Sequence, residues 1–402
     1  MGSERHTNVR NSYRVQRILH GETWLTNALI TINGEGIIDA IEPFEPQKHI
    51  DFIDLGEVSL LPGMIDSHVH GSKGCDVMDA SHDSLNTMSR YFASLGVTAF
   101  VATTVTAPVA KIRAALQQVA KSKRRGVVGA EILGAYLEGP YFTEKNRGAH
   151  PTTWFRDLSV EELDKWMSYS DNQLITVALA PEKPGALEAI RYLRKHNVKV
   201  MLGHTDASYE QVQQALEAGA NGIVHCYNGM RGLHHRDPGV VGAGLTHPNS
   251  YVEMIADGHH VHSAAIDIAH RCCGRRMTLI TDSMSATGMP DGYYTLGEYT
   301  VRMKYGVVTT DSGSLAGSTL TLPLAVQNIQ KWLNLPLEQA WLMASLTPAK
   351  SLGLQHLLGS LEVGKRASMV AVKSDFSITK TWVNGHLVFE TESVPSQEAL
   401  CI

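Results

Sequence analysis

The clearest pattern in the chain is a repeated alternation of short apolar runs with longer amphipathic segments. Eight apolar runs have the length and residue types of β-strands, and helical periodicity separates most of them. The predicted strands cover residues 64–70, 98–106, 132–138, 174–180, 198–204, 222–227, 252–257 and 277–282. The predicted helices between them cover residues 84–95, 109–123, 160–168, 185–196, 209–218 and 262–272. Strands that alternate with helices form parallel sheets, so eight such units predict an α/β protein with a (β/α)8 TIM-type barrel.

Both ends of the chain have a different pattern, in which short β-like runs are joined by tight turns. Asn33-Gly34 and Asn384-Gly385 each lie between alternating apolar residues, which is the usual signal of a β-hairpin. We therefore predict that the two ends together form a small β-sandwich, although two unrelated β extensions would share the pattern. The predicted domains are 1–61 and 358–402 for the two parts of the sandwich, and 62–357 for the barrel. Beyond the eighth strand, a hairpin and two helices are predicted at 293–308, 320–334 and 337–345.

The predicted barrel strands end in side chains that bind metals. His68 and His70 are two residues apart on one strand, so both imidazoles point to the same side. The later strands end in further residues of this kind, namely Glu138, His204, His225, Asp257 and Asp282. Any one of them alone is equally well explained as a hydrogen-bonded rim residue. Because a TIM barrel carries its active site at the carboxyl ends of its strands, their number at one rim predicts a centre for zinc, iron or another borderline divalent metal.

Composition narrows the classes of function. Hydrophobic residues make up 43% of the 402 residues and charged residues 19%, which is enough for a large buried core. The net charge of −5 argues against a general role in binding nucleic acids or membrane surfaces. No apolar run reaches the length of a membrane span, and the polar N-terminus has no signal-peptide core. Five irregularly spaced cysteines do not form a disulfide framework, so the expected location is cytoplasmic.

Several motifs resemble those of one enzyme family. They are Pro-Gly-Met-Ile-Asp-Ser-His-Val-His-Gly (62–71), Leu-Glu-Gly-Pro-Tyr-Phe (137–142), Gly-His-Thr (203–205), His-Cys-Tyr-Asn-Gly-Met (225–230), Ile-Ala-Asp-Gly-His-His (255–260) and Thr-Asp-Ser (281–283). Through them the chain, from about residue 15 to 390, is similar to the N-acetylhexosamine-6-phosphate deacetylases of the amidohydrolase superfamily. The resemblance implies hydrolysis of N-acetylglucosamine 6-phosphate to glucosamine 6-phosphate and acetate in amino-sugar catabolism. The galactosamine epimer is the alternative substrate.

The resemblance also implies roles for particular residues. Glu138, His204 and His225 match metal ligands found in all members, whereas His68 and His70 match a second metal position that some members lack. Asp282 matches the general acid/base. The residues that match substrate contacts are His150 for the carbonyl, Asn228 and Gly229 for the sugar, Arg236 and His260 for the phosphate, and Leu315 and Ala316 near the acetyl group. Members of the family are typically dimers, which implies a homodimer.

The number of metals follows from the histidine pair. We predict one or two divalent metals per chain, with zinc first and iron or another metal as the alternative. The first site would be Glu138, His204 and His225, and the second would be His68, His70 and the same Glu138. Paired catalytic metals lie ~3.5–4 Å apart, a distance that one carboxylate spans with its two oxygens. The second site shares its only carboxylate and is therefore the weaker one. In the alternative interpretation, His68 and His70 only hydrogen-bond around a single metal.

Three other functions compete with deacetylation of a sugar phosphate. A dihydroorotase-like amidohydrolase usually has a bridging lysine at the end of the fourth strand, where this chain has Ala180-Pro181-Glu182. A nucleobase deaminase would give no role to Arg236. A non-catalytic scaffold would be expected to lose ligands, and here all the expected ligands are present. The sequence does not decide between the gluco and galacto epimers.

Overall fold

The computed structural model describes residues 10–391, and its elements follow the predicted alternation. The strands, in chain order, are β1 (Asn11–His20), β2 (Thr23–Ile32), β3 (Ile38–Pro43), β4 (Ile53–Asp54), β5 (Ser59–Pro62), β6 (Met64–Val69), β7 (Gly71–Ser72), β8 (Cys75–Asp76), β9 (Val97–Thr104), β10 (Glu131–Glu138), β11 (Leu174–Leu179), β12 (Lys199–Leu202), β13 (Gly222–Ile223), β14 (Tyr251–Ile255), β15 (Met277–Ile280), β16 (Gly292–Leu296), β17 (Tyr299–Lys304), β18 (Val307–Thr309), β19 (Met369–Val372), β20 (Ile378–Val383) and β21 (His386–Glu390). The helices are α1 (His82–Ser94), α2 (Val109–Arg125), α3 (Val160–Tyr169), α4 (Ala186–Lys195), α5 (Tyr209–Ala218), α6 (Gly239–Thr246), α7 (Ser263–Cys273), α8 (Leu322–Leu333), α9 (Leu337–Leu342) and α10 (Leu346–Leu352). Within residues 10–391, no helix combines the length and apolar character that crossing a bilayer requires.

Eight parallel strands form the predicted barrel, which is nearly closed. They follow one another in the order β6, β9, β10, β11, β12, β13, β14, β15, so each strand lies beside its successor in the sequence. The ring closes at the carboxyl end, where the Asp282 N–H donates to the carbonyl of His68 at 3.0 Å and the His70 N–H donates to the carbonyl of Ser283 at 2.8 Å. The closure bonds therefore join the backbones of three predicted site residues.

The opposite end of the gap between β6 and β15 is filled by the segment before α10. The Ile65 N–H donates to the carbonyl of Ala344 at 2.8 Å, and the Leu279 N–H donates to the carbonyl of Met343 at 2.9 Å. Both strands thus find partners for their backbone groups without pairing directly, as buried N–H groups require. The prediction of a (β/α)8 barrel is confirmed.

The two ends of the chain together build the small β structure that was predicted, and all its strands belong to one hydrogen-bonded sheet. Its strand order is β21-β20-β19-β5-β1-β2-β3, with β4 beside β1. Its core contains apolar side chains from both ends of the chain, including Val15, Ile30, Leu60, Met369 and Trp382. The turns at Gly36 and Asn384 touch, because a Cβ on Gly36 would lie 2.0 Å from the carbonyl oxygen of Asn384. The sheet therefore bends until its two ends meet.

We expect Gly36→Ala to destabilise the small sheet more than Gly56→Ala does. Both glycines have positive φ, 76° and 73°, so both substitutions carry the ~1–2 kcal/mol cost of that conformation. Only Gly36 also has a backbone atom in the way, whereas a Cβ on Gly56 would meet no atom of the described chain within 4 Å. Overpacking typically costs ~1–3 kcal/mol, which is the expected difference between the variants in the free energy of unfolding. Chemical denaturation measures it, and equal losses would show that the turn contact is loose.

Two helices were not predicted, α10 and the barrel helix α6. The sequence of α6, Gly-Val-Val-Gly-Ala-Gly-Leu-Thr, is buried over its first seven residues, so it has no polar face and no helical periodicity to detect. A Cβ on Gly244 would lie 2.5 Å from Cδ1 of Ile223, which explains the small residue at this close approach to β13. The predicted hairpin at 293–308 is a three-stranded sheet, β16-β17-β18.

Candidate metal centre and active site

The site residues on three strands lie just beyond the strand ends in a special backbone conformation. His204, His225 and Asp282 each come two residues after the end of β12, β13 and β15. Their φ angles are 47°, 22° and 51°, in the left-handed region that side chains other than glycine rarely adopt. Strained backbone of this kind persists where the surrounding structure enforces it, and it is frequent at functional sites. The predicted strands ran through these residues, but the structure ends the strands earlier and turns the three side chains toward one point.

The predicted ligands converge around Glu138, at the end of β10. Oε1 of Glu138 lies 3.4 Å from Nε2 of His68, 3.5 Å from Nε2 of His204 and 3.3 Å from Nε2 of His225. Oε2 of Glu138 lies 3.2 Å from Nε2 of His70. Two sets of three ligand atoms each fall within 4.8 Å of one another, namely Glu138, His204, His225 and His68, His70, Asp282. The structure therefore brings all six residues together, with Glu138 between the two histidine pairs.

The tautomers of the histidines fit a metal. Nδ1 of His70, His204 and His225 faces a backbone carbonyl oxygen at 3.1 Å, so Nδ1 carries the hydrogen and Nε2 presents a lone pair. The Nε2 atoms nevertheless lie close together, 3.1 Å apart for His204 and His225 and 3.3 Å apart for His68 and His70. Lone pairs that face one another and a carboxylate are stabilised by a cation. Imidazole and carboxylate donors, with backbone carbonyls behind the imidazoles, are the ligands that divalent metals use in proteins.

The electrostatics of the buried centre keep its carboxylates ionised. Burial opposes the charged form of Glu138, but the surrounding imidazoles of His68, His204 and His225 hold its pKa well below the usual value. Burial likewise opposes the charge of Asp282, yet the contact with His70 and the proximity of His68 lower its pKa to about 2. Asp282 Oδ1 lies 3.1 Å from Nε2 of His70. An ionised Asp282 beside the candidate metal ligands is able to accept a proton.

His150 has the opposite tautomer from the ligands. The Thr106 N–H donates to Nδ1 of His150 at 3.3 Å, so its hydrogen lies on Nε2, which points toward the centre, 3.6 Å from Oε2 of Glu138. Burial, reinforced by the neighbouring His204, holds the pKa of His150 well below the usual value, so the ring is neutral. A neutral imidazole with Nε2–H directed at the centre donates a hydrogen bond and does not bind a metal.

A cavity of about 290 Å³ lies above the centre. Ten predicted site residues line it, namely His70, Glu138, His150, His204, His225, Asn228, Gly229, His260, Asp282 and Leu315. Three others do not: His68 and Ala316 are buried beneath the surface, and Arg236 is exposed, with its guanidinium 2.8 Å from Nε2 of His235. The structure therefore does not bring Arg236 to the cavity of its own chain, and its role stays a prediction.

His260 lies in the cavity wall and is paired with a carboxylate. Its Nδ1 donates to Oδ2 of Asp257 at 2.6 Å, and Asp257 also accepts two backbone N–H groups at 2.8 Å. Burial disfavours the imidazolium, but the Asp257 carboxylate raises the pKa of His260 above its usual value. Asp257 was predicted only as a strand-end residue, and the structure shows that it holds His260.

Sequence reasoning missed two groups of residues. Glu298 and Tyr299, at the tip of the β16–β17 hairpin, line the cavity, and nothing in their local sequence indicates it. Glu253, inside β14, contacts His68, with Oε2 at 3.1 Å from Nδ1. Glu253 could have been singled out in the sequence as a carboxylate inside an otherwise apolar strand, Tyr-Val-Glu-Met-Ile.

The fold and the centre define a metal-dependent hydrolase of the amidohydrolase type, and comparison with known proteins gives the same class. The model of the amidohydrolase family matches residues 59–388. This chain belongs to the amidohydrolase family.

Relatives within the family are similar over nearly their whole length. The N-acetylglucosamine-6-phosphate deacetylase of Vibrio furnissii is 75% identical over 97% of this chain and 98% of its own. The N-acetylgalactosamine-6-phosphate deacetylase of Escherichia coli O157:H7 is 50% identical over 93% of this chain and 98% of its own. A mutant N-acetyl-D-glucosamine-6-phosphate deacetylase from Mycobacterium smegmatis, solved with N-acetyl-D-glucosamine-6-phosphate, superimposes with a TM-score of 0.89 at 31% identity, covering 94% of this chain and 99% of that one.

Proposed function

We propose that the protein hydrolyses the N-acetyl group of N-acetylglucosamine 6-phosphate to give glucosamine 6-phosphate and acetate. The observation that carries the proposal is the convergence of Glu138 and four histidine Nε2 atoms at the floor of one cavity, with Asp282 and a neutral His150 beside them. The similarity to the Vibrio furnissii enzyme supports the substrate, and the reaction belongs to amino-sugar metabolism. The galactosamine epimer is the second candidate, because a relative with that activity is 50% identical.

The residues would divide the work of hydrolysis among them. A divalent metal held by Glu138, His204 and His225, with a second at His68 and His70, would supply Lewis-acid polarisation and activation of water. His150 donates its Nε2–H to the carbonyl oxygen of the acetyl group, where negative charge develops as water attacks. Its neutral form suits this role, since Nδ1 is occupied by the Thr106 N–H.

Asp282 moves the proton. Its ionised carboxylate takes the proton from the attacking water as the new C–O bond forms at the carbonyl carbon. The same carboxyl group then delivers that proton to the amide nitrogen as the C–N bond breaks, so the amine leaves neutral. Asp282 is 8% exposed, so it reaches the cavity but exchanges protons with little bulk water.

The remaining assignments extend the proposal. Imidazole and carboxylate donors suit zinc first, with iron as the alternative. Asn228, Gly229 and Leu315 line the cavity and are proposed to contact the sugar and the acetyl group. The resemblance to deacetylases supports a cytoplasmic homodimer and a small-molecule sugar phosphate as the binding partner.

The test is release of primary amine by the purified protein. Both 6-phosphorylated N-acetylhexosamines and their unphosphorylated forms are compared as substrates, with acetate measured in parallel. We expect the highest kcat/KM for N-acetylglucosamine 6-phosphate. A higher value for the galactosamine epimer would favour the second candidate, and no amine from any of the four would contradict the proposal.

We expect His260→Gln to raise the KM for the phosphorylated sugar and leave the unphosphorylated sugar nearly unaffected. A charge-assisted contact is worth ~1.5–3 kcal/mol, or roughly 10- to 150-fold. The imidazolium exists below the raised pKa of His260 and is lost as the pH rises through it, so the KM of the wild type should rise in that range. The variant should lose this pH dependence, and a KM that rises equally for both sugars would contradict a phosphate contact.

Arg236→Ala is measured beside it, because the sequence predicts a second phosphate contact there. A selective rise in the KM for the phosphorylated sugar, within the same roughly 10- to 150-fold range, is the expected result. Equal KM values for the wild type and the variant would show that Arg236 stays exposed during the reaction, as it is in this structure.

A further inference from the structure

His68 differs from the other histidines of the centre in the partner of its second ring nitrogen. Nδ1 of His70, His204 and His225 faces a backbone carbonyl oxygen, at 3.1 Å in each case. Nδ1 of His68 faces a carboxylate, Oε2 of Glu253, also at 3.1 Å. Among these four histidines, therefore, one alone has a charged group behind it.

Glu253 lies where a carboxylate is costly for folding. It occupies the middle of β14 and is 4% exposed, and its side chain hydrogen-bonds, within residues 10–391, to His68. Burying a carboxylate is unfavourable unless positive charge compensates it, and an apolar side chain at such a position is often more stabilising. The position is therefore better explained by the metal centre than by the packing of the barrel.

The charges of the centre connect Glu253 with the second metal. One divalent cation at Glu138, His204 and His225 is balanced by the carboxylates of Glu138 and Asp282. A third carboxylate close by would then lack a positive partner other than His68. Two divalent cations carry four positive charges, of which the three carboxylates balance three. The three carboxylates leave a net charge of −1 with one cation and +1 with two, so each of them, Glu253 included, has a compensating positive charge from the metals when the His68 and His70 side is occupied as well.

We propose that Glu253 is the positioning residue that lets the His68 and His70 side retain a second divalent metal. It keeps the hydrogen of His68 on Nδ1, so that Nε2 presents its lone pair to the centre, and it makes the imidazole a more basic ligand. This offsets the weakness of a site that shares the Glu138 carboxylate with the first metal. The inference rests on the two-metal centre of the proposed function.

The experiment uses Glu253→Gln in the full chain. Glutamine keeps the shape but not the charge, and its amide nitrogen can donate to Nδ1, which would place the hydrogen on Nε2 and block that ligand. Metal-free protein is titrated with zinc against a competing chelator, and cobalt replaces zinc to follow each site by absorption. We expect unchanged affinity for the first metal and a loss of roughly 10- to 100-fold for the second.

Thr278→Val is the matched control. Thr278 is the register partner of Glu253 on β15, its buried hydroxyl has no hydrogen-bond partner among residues 10–391, and valine has nearly its shape. The control should bind both metals like the wild type. Glu253→Asp is the second variant, because it keeps the charge but withdraws it from Nδ1, and it should weaken the second metal less than Glu253→Gln does.

Three results would overturn the proposal. They are a wild type that binds one metal, a Glu253→Gln protein that binds both with unchanged affinity, and an equal loss of affinity at both sites. The proposed reaction is judged separately, from amine release by the wild type. A wild type that holds two metals but releases no amine would count against the deacetylase function and leave the role of Glu253 standing.

Discussion

Asp282→Asn should lower kcat by roughly two to four orders of magnitude, the usual range for loss of a general acid/base. The amide keeps the size of the side chain but neither accepts the proton of the attacking water nor delivers one to the leaving nitrogen. Metal content and thermal unfolding should stay close to those of the wild type, because asparagine keeps the size and one oxygen of the side chain and the predicted ligands Glu138, His204 and His225 are unchanged. Turnover is measured by amine release, and metal by elemental analysis of the same sample.

Asp257→Asn is the matched control for this variant. Asp257 also follows the end of a barrel strand by two residues, but its carboxylate is bonded to His260 at 2.6 Å and to backbone N–H groups. Its loss should act through His260, raising the KM for the phosphorylated sugar with little change in kcat. Near-normal turnover in Asp282→Asn, or an equal loss of kcat in Asp257→Asn, would contradict the assignment of proton transfer to Asp282.

The sequence predicts this fold and much of its centre because both depend on local, periodic features. Each barrel strand is a short apolar run, and the carboxyl ends of parallel strands must meet at one rim. His68, Glu138, His204 and His225 could therefore be grouped without coordinates. The two hairpin signals, at Asn33-Gly34 and Asn384-Gly385, similarly predicted a small domain built from both ends.

The remaining features of the site depend on contacts between distant parts of the sequence, which no local pattern indicates. The left-handed conformations of His204, His225 and Asp282 depend on the barrel around them, so their sequence gives no sign of where the strands end. The hairpin tip with Glu298 and Tyr299 reaches the cavity from an insertion whose direction is tertiary.

At Arg236, the sequence predicts a contact that the structure does not show. A motif match predicts a phosphate contact, but in this chain its guanidinium is exposed and bonds to His235, outside the cavity lining. Glu253 was detectable in principle, as a charged residue inside an apolar strand, but its partner His68 lies 185 residues away in the sequence.

The largest loss is expected for Glu138→Gln, because Glu138 is the carboxylate that faces both histidine pairs. Its Oε1 lies 3.3 Å from Nε2 of His225 and its Oε2 lies 3.2 Å from Nε2 of His70. Lewis-acid stabilisation is worth several kcal/mol and each ~1.4 kcal/mol is tenfold in rate, so turnover should fall by roughly three orders of magnitude or more. After reconstitution with excess zinc, metal content should be two per chain in the wild type and below one in the variant.

Glu131→Gln separates this loss from damage to the strand. Glu131 begins the same β10 strand at the opposite end, where it contacts Arg366 and Asn384. A partly exposed ion pair is worth ~0–1 kcal/mol, so this variant should keep both metals and full turnover.

The double replacement of His68 and His70 should leave one metal, held by Glu138, His204 and His225. The two-metal centre would be contradicted if the wild type bound one metal per chain and the double variant bound the same amount. His68 and His70 would then only hydrogen-bond around a single ion.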